Sequence, residues 1–224
     1  MSQDDAKERL IAAAGPLFAE QGYDAATVRQ ICDTAGVNLA SVNYYFGDKH
    51  QLYVATVASA LRAGANEVGP PDEVEGLPPE EALRRLVFQI ALHMLQNEAE
   101  PWQLRLIMRE VIRPSDVGRA MIERAFRPFY DRLLKVVGRL LPDDTPLFRR
   151  QFVVFSIIGQ CVYYRNARDV ITQLTSPEQV KRHFKPEALA RHIYEFSLAG
   201  IAGAGEIERD GATESWSVPS GEPS

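Results

Sequence analysis

The sequence lacks any apolar run long enough to cross a membrane, which takes about 20 consecutive residues. Its opening residues, MSQDDAKERL, are mostly polar and acidic, whereas a secretory signal peptide starts with basic residues and continues into an apolar stretch. These two features predict a soluble, cytoplasmic protein without a membrane partner.

Cysteine is almost absent as well. Cys32 and Cys161 are the only two, and both lie in apolar patterns of helical spacing. A cysteine in such a setting is usually a small buried hydrophobe, so we predict neither a disulfide nor a thiolate ligand.

The usual signatures of enzymes and metal sites are missing too. The sequence has no H-E-x-x-H motif, phosphate-binding glycine loop or nucleophile elbow. We therefore predict no catalytic residue, no cofactor and no metal, and an all-α enzyme with a site assembled over distance is the remote alternative. The four histidines, none with metal-ligand spacing, are His50, His93, His183 and His192.

Basic charge is scarce at both ends of the chain. The net charge is −5, and residues 205–224 contribute five acidic side chains against one arginine. This segment is rich in small, turn-forming residues, which predicts a disordered acidic tail. Residues 1–60 hold four basic against seven acidic side chains, so any affinity for nucleic acid that rests on charge alone is expected to be weak.

What the sequence has throughout is helical periodicity. A first amphipathic helix is predicted from Lys7 to Glu20, with Gly22 at its stop. Asp48 followed by Gln51 is expected to cap a fourth helix that runs to about Asn66.

Between these lie two short helices. Thr27 and Gln30 have the spacing of a capping box, and Gly36 stands where a turn needs positive φ. Asn38 then caps a helix that ends at Phe46. Two short helices joined by a glycine-containing turn indicate a helix-turn-helix, whose second helix lies in the DNA major groove.

The helical repeat predicts which side of the third helix faces DNA. At about 100° per residue, Val42 faces the core and Asn43 lies on the outer side, where its amide could bind adenine through two hydrogen bonds. Small polar residues also occur on ordinary surface helices, so that alternative stays open from the pattern alone. The predicted DNA-contacting residues are Thr27, Arg29, Asn38, Ala40, Ser41, Asn43, Tyr44 and Lys49.

The stretch ATVRQICDTAGVNLASVNYYFGDKHQLY resembles the DNA-binding domain of TetR/AcrR-type bacterial transcriptional regulators. The chain departs from the family pattern at Asn38, Ala40 and Asn43, where serine, glycine and tyrosine are commoner, and this concerns the operator sequence. The version NLASVNYYFGDK is similar to a subgroup that includes CecR-like regulators. The residues that fall on the pattern are Thr27, Ile31, Ala35, Gly36, Val37, Phe46, Lys49 and Leu52.

The resemblance implies an all-α protein with an N-terminal three-helix DNA-binding domain and a C-terminal helical domain for ligand binding and dimerisation. The expected boundaries are 1–52 for the first domain, with a connecting helix to about 66, then 67–204 for the second and 205–224 for the tail. The implied partners are double-stranded operator DNA, a second copy of the chain and an unknown small-molecule effector.

Periodicity predicts further helices in the C-terminal half. Pro128 is expected to kink or split one of them, and Thr145 with Pro146 is expected to provide a cap and a first-turn proline. The predicted segments are 80–96, 102–113, 115–141 capped by Ser115, 146 to about 166, and a last helix that Pro186 opens and that ends near Gly203.

Two of these helices have the composition of an interface. Past its first turn, the helix of residues 148–164 is apolar almost all round, which requires burial on more than one side. The last helix carries small residues that permit close helix approach. We predict a four-helix dimer interface with Phe152, Gly159, Phe196 and Gly200 among its residues.

An effector pocket is predicted from aromatic side chains and a few polar ones. The candidates are Trp102, Arg109, Tyr163, His93 and Phe126. The aromatic residues equally fit a plain core, and His93 fits a satisfied core histidine. Arg105, Arg109 and Arg113 fit a solvated ridge as well as an anion site.

The sequence as a whole predicts a ligand-responsive repressor that binds a pseudo-palindromic operator as a homodimer. A DNA-binding architectural or division-linked protein without an effector is the alternative.

Overall fold

The computed structural model describes residues 3–65, 74–95 and 102–209. Every regular element in these ranges is a helix, which confirms the all-α class, and none of these helices is long and apolar enough to cross a membrane. The helices are α1 (Gln3–Ala25), α2 (Val28–Ala35), α3 (Ala40–Phe46), α4 (Lys49–Ala65), α5 (Pro79–Leu95), α6 (Trp102–Ile112), α7 (Asp116–Met121), a π-helical turn (Ile122–Phe126), α8 (Arg127–Leu140), α9 (Leu147–Asn166), α10 (Arg168–Leu174), α11 (Pro177–His183) and α12 (Pro186–Arg209).

The local signals of the short helices are confirmed. The Thr27 hydroxyl accepts from the Gln30 N–H at 3.2 Å, and the Gln30 side chain accepts from the Thr27 N–H at 2.9 Å, which completes the capping box. Gly36 has φ 63° and ends α2. The Gln51 N–H donates to the Asp48 carboxylate at 2.7 Å at the start of α4.

The first helix extends beyond its predicted range at both ends. Gly22 has φ 84° and ψ 173°, so it interrupts the regular helix as the sequence indicates, and a final turn follows to Ala25. The sequence underestimated α1 because a short turn after a glycine has too few residues to show periodicity.

One predicted cap is wrong and one predicted break is confirmed. Pro146 is itself the N-cap residue of α9, with φ −59° and ψ 147°, so the helix starts at Leu147, one residue later than predicted, and Pro146 does not occupy its first helical position. The predicted disruption near Pro128 takes the form of the π-helical turn directly before α8. Proline lacks the N–H that an α-helix needs at that position, and a change of helical register accommodates the loss.

The chain after α9 holds two short helices, α10 and α11, that periodicity did not separate from the loops. The last helix continues to Arg209 rather than stopping near Gly203, so the predicted tail begins later than residue 205. The rest of that tail, residues 210–224, lies outside the described residues, as do Asn66 and Gln96, where the predicted fourth helix and the predicted segment 80–96 end.

Packing divides the described residues into two units. The first takes the residues up to Val74 together with those of Gln89–Arg132, and the second takes Glu75–Phe88 with those from Leu133 onward. The predicted domain boundaries follow sequence and expected function instead, and they stay a prediction.

In the first unit, α1 packs against α2, α4 and α6, and α4 also packs against α3. Phe18 of α1 and Tyr53 of α4 are buried at its centre with ring centroids 4.8 Å apart, in an edge-to-face arrangement. The other buried apolar side chains of this core include Leu10, Ala14, Ile31, Cys32, Val42, Leu52, Val57 and Leu106.

In the second unit, α9 packs against α12. The buried residues here are Val154, Ile157 and Cys161, which share one face of α9, and Ile193 of α12. Both Cys32 and Cys161 are buried free thiols, which confirms their prediction as small core residues. Burial raises the pKa of the Cys161 thiol to about 12, so it stays protonated.

Candidate nucleic-acid interface

The turn between α2 and α3 is fixed by backbone bonds at the end of α2. The Val37 N–H donates to the Cys32 carbonyl at 3.0 Å, and the Gly36 N–H donates to the Asp33 carbonyl at 3.3 Å. These two bonds around a left-handed glycine form a Schellman motif. These local hydrogen bonds shape the turn, and Arg9 of α1 also donates to its carbonyls at Ala35 and Gly36.

The faces of α3 agree with the helical repeat. Val42 is fully buried, and Tyr45 and Phe46 are half-buried against the core of the first unit. Ala40, Asn43 and Tyr44 are exposed, Tyr44 by 70%, and Ser41 is half-buried. The outer face thus presents a methyl group, an amide and a phenol, and no charge.

Tyr44 does not project alone. Its ring lies edge-to-face against Tyr45, with centroids 4.8 Å apart, and Tyr45 packs on the core. An exposed aromatic ring held in this way loses less conformational freedom when it binds a partner than a ring free to rotate. Leu39, just before α3, is also about half exposed and extends the outer face, a residue that the sequence pattern did not single out.

Two predicted contact residues are engaged within the protein. The Thr27 hydroxyl donates to Gln30 Oε1 at 2.8 Å as well as accepting from the Gln30 N–H, so its described role is to start α2. Asn38 Oδ1 accepts from the Ala40 N–H at 3.0 Å directly before α3, whose N-cap residue is Leu39 rather than the predicted Asn38. Asn38 is exposed.

The two predicted cations differ. Arg29 is exposed in the first turn of α2. Lys49 Nζ instead donates to the Asp24 carbonyl at 3.3 Å and lies 4.5 Å from the centroid of the Tyr23 ring. Lys49 therefore holds the end of α1 from the first turn of α4, a role compatible with a phosphate contact but separate from it.

The same device recurs at other helix ends, and sequence reasoning missed it. Arg9 donates to the Ala35 and Gly36 carbonyls at the end of α2, and Arg109 of α6 donates to the Gln21 carbonyl at 3.5 Å. Basic side chains at helix C-termini satisfy carbonyls that lack helical partners and favour the negative end of the helix dipole. No spacing rule reveals these pairs because the partners lie 26 to 88 residues apart.

A buried carboxylate links three helices of the first unit. Glu110 of α6 is 3% exposed and accepts a hydrogen bond from the Tyr53 hydroxyl of α4. It also accepts from the Ser115 N–H at 2.9 Å and the Ser115 hydroxyl at 2.7 Å, while that hydroxyl caps α7 through the Gly118 N–H. A Cβ at Gly118 would collide with the Glu110 carboxylate, so a larger residue there would displace this carboxylate from its present position.

Burial, and then the hydrogen bond to Glu110, raise the pKa of Tyr53 well above its ordinary value. The phenol is therefore held neutral beside the carboxylate. Glu110 was not predicted to be buried or paired. Its neighbour in the sequence is Arg109, and its partner Tyr53 is 57 residues away.

The predicted effector residues lie in both units. Trp102 packs against Gly15 of α1, and Arg109 reaches the end of α1. Phe126 packs on the core of the first unit, to which half-buried His93 also belongs. Tyr163 belongs to the second unit and is exposed. A shared pocket for these residues stays a prediction.

The four predicted interface residues are all exposed and follow helical spacing. Phe152 and Gly159 lie seven residues apart on α9, and Phe196 and Gly200 lie four apart on α12. Phe152 is 61% and Phe196 63% exposed. A Cβ at either glycine would meet nothing within 4 Å, so the single chain does not explain why these positions are glycine.

No group of three histidine, cysteine, aspartate or glutamate side chains suited to a metal ion occurs within 3–65, 74–95 and 102–209.

Two family models match the chain. Residues 10–56 match the model of bacterial regulatory proteins of the tetR family, and residues 79–201 match the model of the C-terminal domain of the HTH-type transcriptional dual regulator CecR. The N-terminal match spans the geometry described above, from the core of α1 to the middle of α4.

Similar proteins agree with these matches. The HTH-type transcriptional dual regulator CecR of Shigella flexneri is 27% identical over 211 residues, 89% of this chain and 94% of its own. The HTH-type transcriptional repressor NicS of Pseudomonas putida is 30% identical over 84 residues, 38% of this chain and 39% of its own.

Solved structures share the fold. A transcriptional regulator from Rhodococcus sp. Rha1 has a TM-score of 0.60 at 19% identity, covering 89% of this chain and 97% of its own. AibR, solved with isovaleryl coenzyme A and operator DNA, has a TM-score of 0.62 at 16% identity, covering 85% and 97%.

Proposed function

Because the chain belongs to the TetR family of bacterial transcriptional regulators and carries a CecR-type C-terminal domain, we propose that it is a ligand-responsive repressor. In this proposal a homodimer binds a pseudo-palindromic operator in the bacterial cytoplasm, and a small-molecule effector releases it. This role requires no catalytic chemistry of the chain.

The observation that carries the proposal is the outer face of α3. Asn43 and Tyr44 are exposed on a short helix whose opposite side is anchored by fully buried Val42. Asn43 is the side chain suited to adenine, the Ala40 methyl suits a thymine methyl, and Ser41 and Tyr44 supply hydroxyls. Arg29 and Lys49 supply the contacts to phosphate.

Dimerisation compensates for the weak electrostatic attraction between DNA and a single DNA-binding domain. The first 60 residues carry a net charge of −3, so one domain gains little from counterion release. Two DNA-binding domains joined in one dimer bind successive major grooves about 34–36 Å apart. Once the first domain is bound, binding of the second is intramolecular. The exposed aromatic and glycine positions of α9 and α12 support a four-helix interface between copies.

An effector would act by binding more tightly to the dimer conformation in which the spacing of the two DNA-binding domains no longer fits the operator. The candidate residues remain Trp102, Arg109, Tyr163, His93 and Phe126. Support comes from relatives: AibR was solved with an organic ligand and operator DNA, and NicS is named a repressor. CecR is named a dual regulator, so activation at some promoters is the second candidate for this chain.

The proposal is tested by footprinting the purified protein on DNA that flanks its gene and then screening small molecules for release. A repressor of this kind protects two half-sites on one face of the duplex, with two chains per site. A compound that binds saturably and releases the DNA identifies the effector response. Binding spread along the DNA without paired half-sites, and unaffected by any compound, would favour the architectural alternative.

A further inference from the structure

Arg9 binds the turn of the helix-turn-helix. Its Nε donates to the Ala35 carbonyl at 3.0 Å, and its Nη2 donates to the Gly36 carbonyl at 2.8 Å and also to the Ala35 carbonyl. Gly36 is the left-handed residue that ends α2, and a Cβ there would lie only 3.1 Å from Arg9 Nη2. The guanidinium therefore sits directly against the turn.

These bonds have a clear physical cause. The last carbonyls of a helix have no partner within it, and α2 has only 8 residues, so its ends are a large part of the element. A planar guanidinium can bind two neighbouring carbonyls at once, which a lysine ammonium on a flexible stem does less well. Three of the five N–H groups of Arg9 are used in this way.

The bonds also connect the turn to the core. Arg9 directly precedes Leu10, which is fully buried, as is Ala14 one turn later. Gly36 is followed by only three residues before α3 begins at Ala40. The orientation of α3 therefore depends on where the end of α2 is held, and Arg9 ties that end to α1.

We propose that Arg9 is a positioning residue for DNA reading, which fixes the turn after α2 so that Asn43 and Tyr44 enter the groove in one orientation. The inference rests on the proposed function of α3. It assigns Arg9 no contact with a base. A guanidinium that bound phosphate instead would have a different effect on the salt dependence of binding.

The test compares Arg9→Met, Arg9→Lys and a control, Arg62→Met. Arg62 is an exposed arginine 13 residues into α4, about 20 Å along the helix from its start, so the control removes the same charge away from the turn. Affinity for the footprinted site and for unrelated DNA is measured at several salt concentrations. Hydrogen exchange is measured in peptides that cover 33–44 and in peptides from α1 and α4.

We expect both Arg9 variants to bind the specific site about tenfold more weakly, the loss typical of charge-assisted hydrogen bonds. Binding to unrelated DNA and the salt slope should stay as in the wild type and in Arg62→Met. Exchange should accelerate in 33–44 and not elsewhere. Arg9→Lys should not restore binding, because the charge is present but both carbonyls cannot be held together.

Three results would overturn the inference. Recovery in Arg9→Lys together with a salt slope lowered by about 1 in Arg9→Met would make Arg9 a phosphate contact. Faster exchange throughout the first unit, with equal loss for all DNA, would make it a stability residue only. Unchanged binding and unchanged exchange would show that the turn needs no support from α1.

The experiment also separates this inference from the proposed function. If the wild type shows no specific DNA binding, the proposed function fails, whereas the exchange data still decide whether Arg9 holds the turn. If the wild type binds specifically and the Arg9 variants match it in affinity and exchange, only the inference fails.

Discussion

The outer face of α3 and the paired outer faces of α9 and α12 are both exposed, but their chemistry differs. The face of α3 presents small or uncharged polar groups, with Tyr44 its one large ring. The faces of α9 and α12 present exposed phenylalanines, with a glycine further along each helix. The first suits a partner read through hydrogen bonds, and the second suits a partner that buries apolar area at close approach.

The two regions also differ in what supports them. Under α3, polar groups hold helix ends and a buried carboxylate joins α4, α6 and α7. Between α9 and α12 the buried side chains include the apolar Val154, Ile157 and Ile193, and Gln160 Nε2 also donates to the Ser197 hydroxyl at 3.4 Å. The α3 region therefore combines its apolar core with directional bonds to helix ends, whereas the contact between α9 and α12 relies mainly on non-directional packing.

The largest effect is expected from a substitution that blocks the exposed face of α9 and α12. Gly200→Trp places a bulky side chain where the proposed partner helix approaches, so we expect monomers in sedimentation velocity and a loss of operator binding. The matched control is Arg191→Trp, an exposed position about 180° around α12 from Gly200. Dimers that persist in Gly200→Trp would move the interface to another part of the chain.

The next effect concerns the first surface. Asn43→Ala should cost about 1–3 kcal/mol in specific binding and relax the preference at one base pair, because the two amide hydrogen bonds to adenine are lost. Titration against operators with each base pair changed in turn measures both. Asn43 would not face the groove if the variant kept wild-type affinity and an unchanged preference at every position.

The support of the first surface can be weakened by removing one hydroxyl. Tyr53→Phe deprives buried Glu110 of a donor and should lower the free energy of unfolding by about 1–3 kcal/mol. Urea unfolding measures the change, with Tyr163→Phe, which removes an exposed hydroxyl, as the control. An equal loss in both variants would argue against a special role for this buried pair.

The same pair predicts a pH dependence. Because the pKa of Tyr53 is raised in the folded state, the unfolded chain releases this proton first as pH rises above about 10. The stability contributed by the neutral phenol is complete below that pH and is lost above it. Melting temperatures between pH 8 and about 11 should therefore fall more steeply for the wild type than for Tyr53→Phe. Parallel curves would contradict the raised pKa.

The smallest effect is expected from Lys49→Ala. If Lys49 reaches phosphate, the variant binds all sequences more weakly and the salt slope falls by about 1. Because Lys49 also holds the Asp24 carbonyl, a small decrease in melting temperature should accompany this. A lower melting temperature with an unchanged salt slope would assign Lys49 to the support of α1 alone.

The sequence predicted what depends on neighbours along the chain. The Thr27 capping box, the positive φ of Gly36 and the buried side of Val42 follow from spacing, and the structure has all three. The prediction at Thr145 and Pro146 was wrong by one position. Pro146 is the N-cap residue itself, and spacing alone does not decide at which of two neighbouring residues the helix begins.

The sequence could not predict what depends on distant partners. Arg9 and Glu110 look like ordinary surface charges until folding brings Arg9 to Gly36 and Glu110 to Tyr53. Long side chains with several rotatable bonds can reach many partners, and only the packed core selects one. For the same reason the sequence identifies aromatic residues as candidates for an effector pocket but does not predict which of them lie close together.

The central claim is that the uncharged face of α3 reads a specific DNA sequence. Fluorescence anisotropy of the purified protein with DNA flanking its gene, at several salt concentrations and against unrelated competitor DNA, tests it most directly. We expect saturable binding that survives the competitor and weakens as salt rises. A folded protein that binds every flanking fragment no better than unrelated DNA at low salt would contradict the claim.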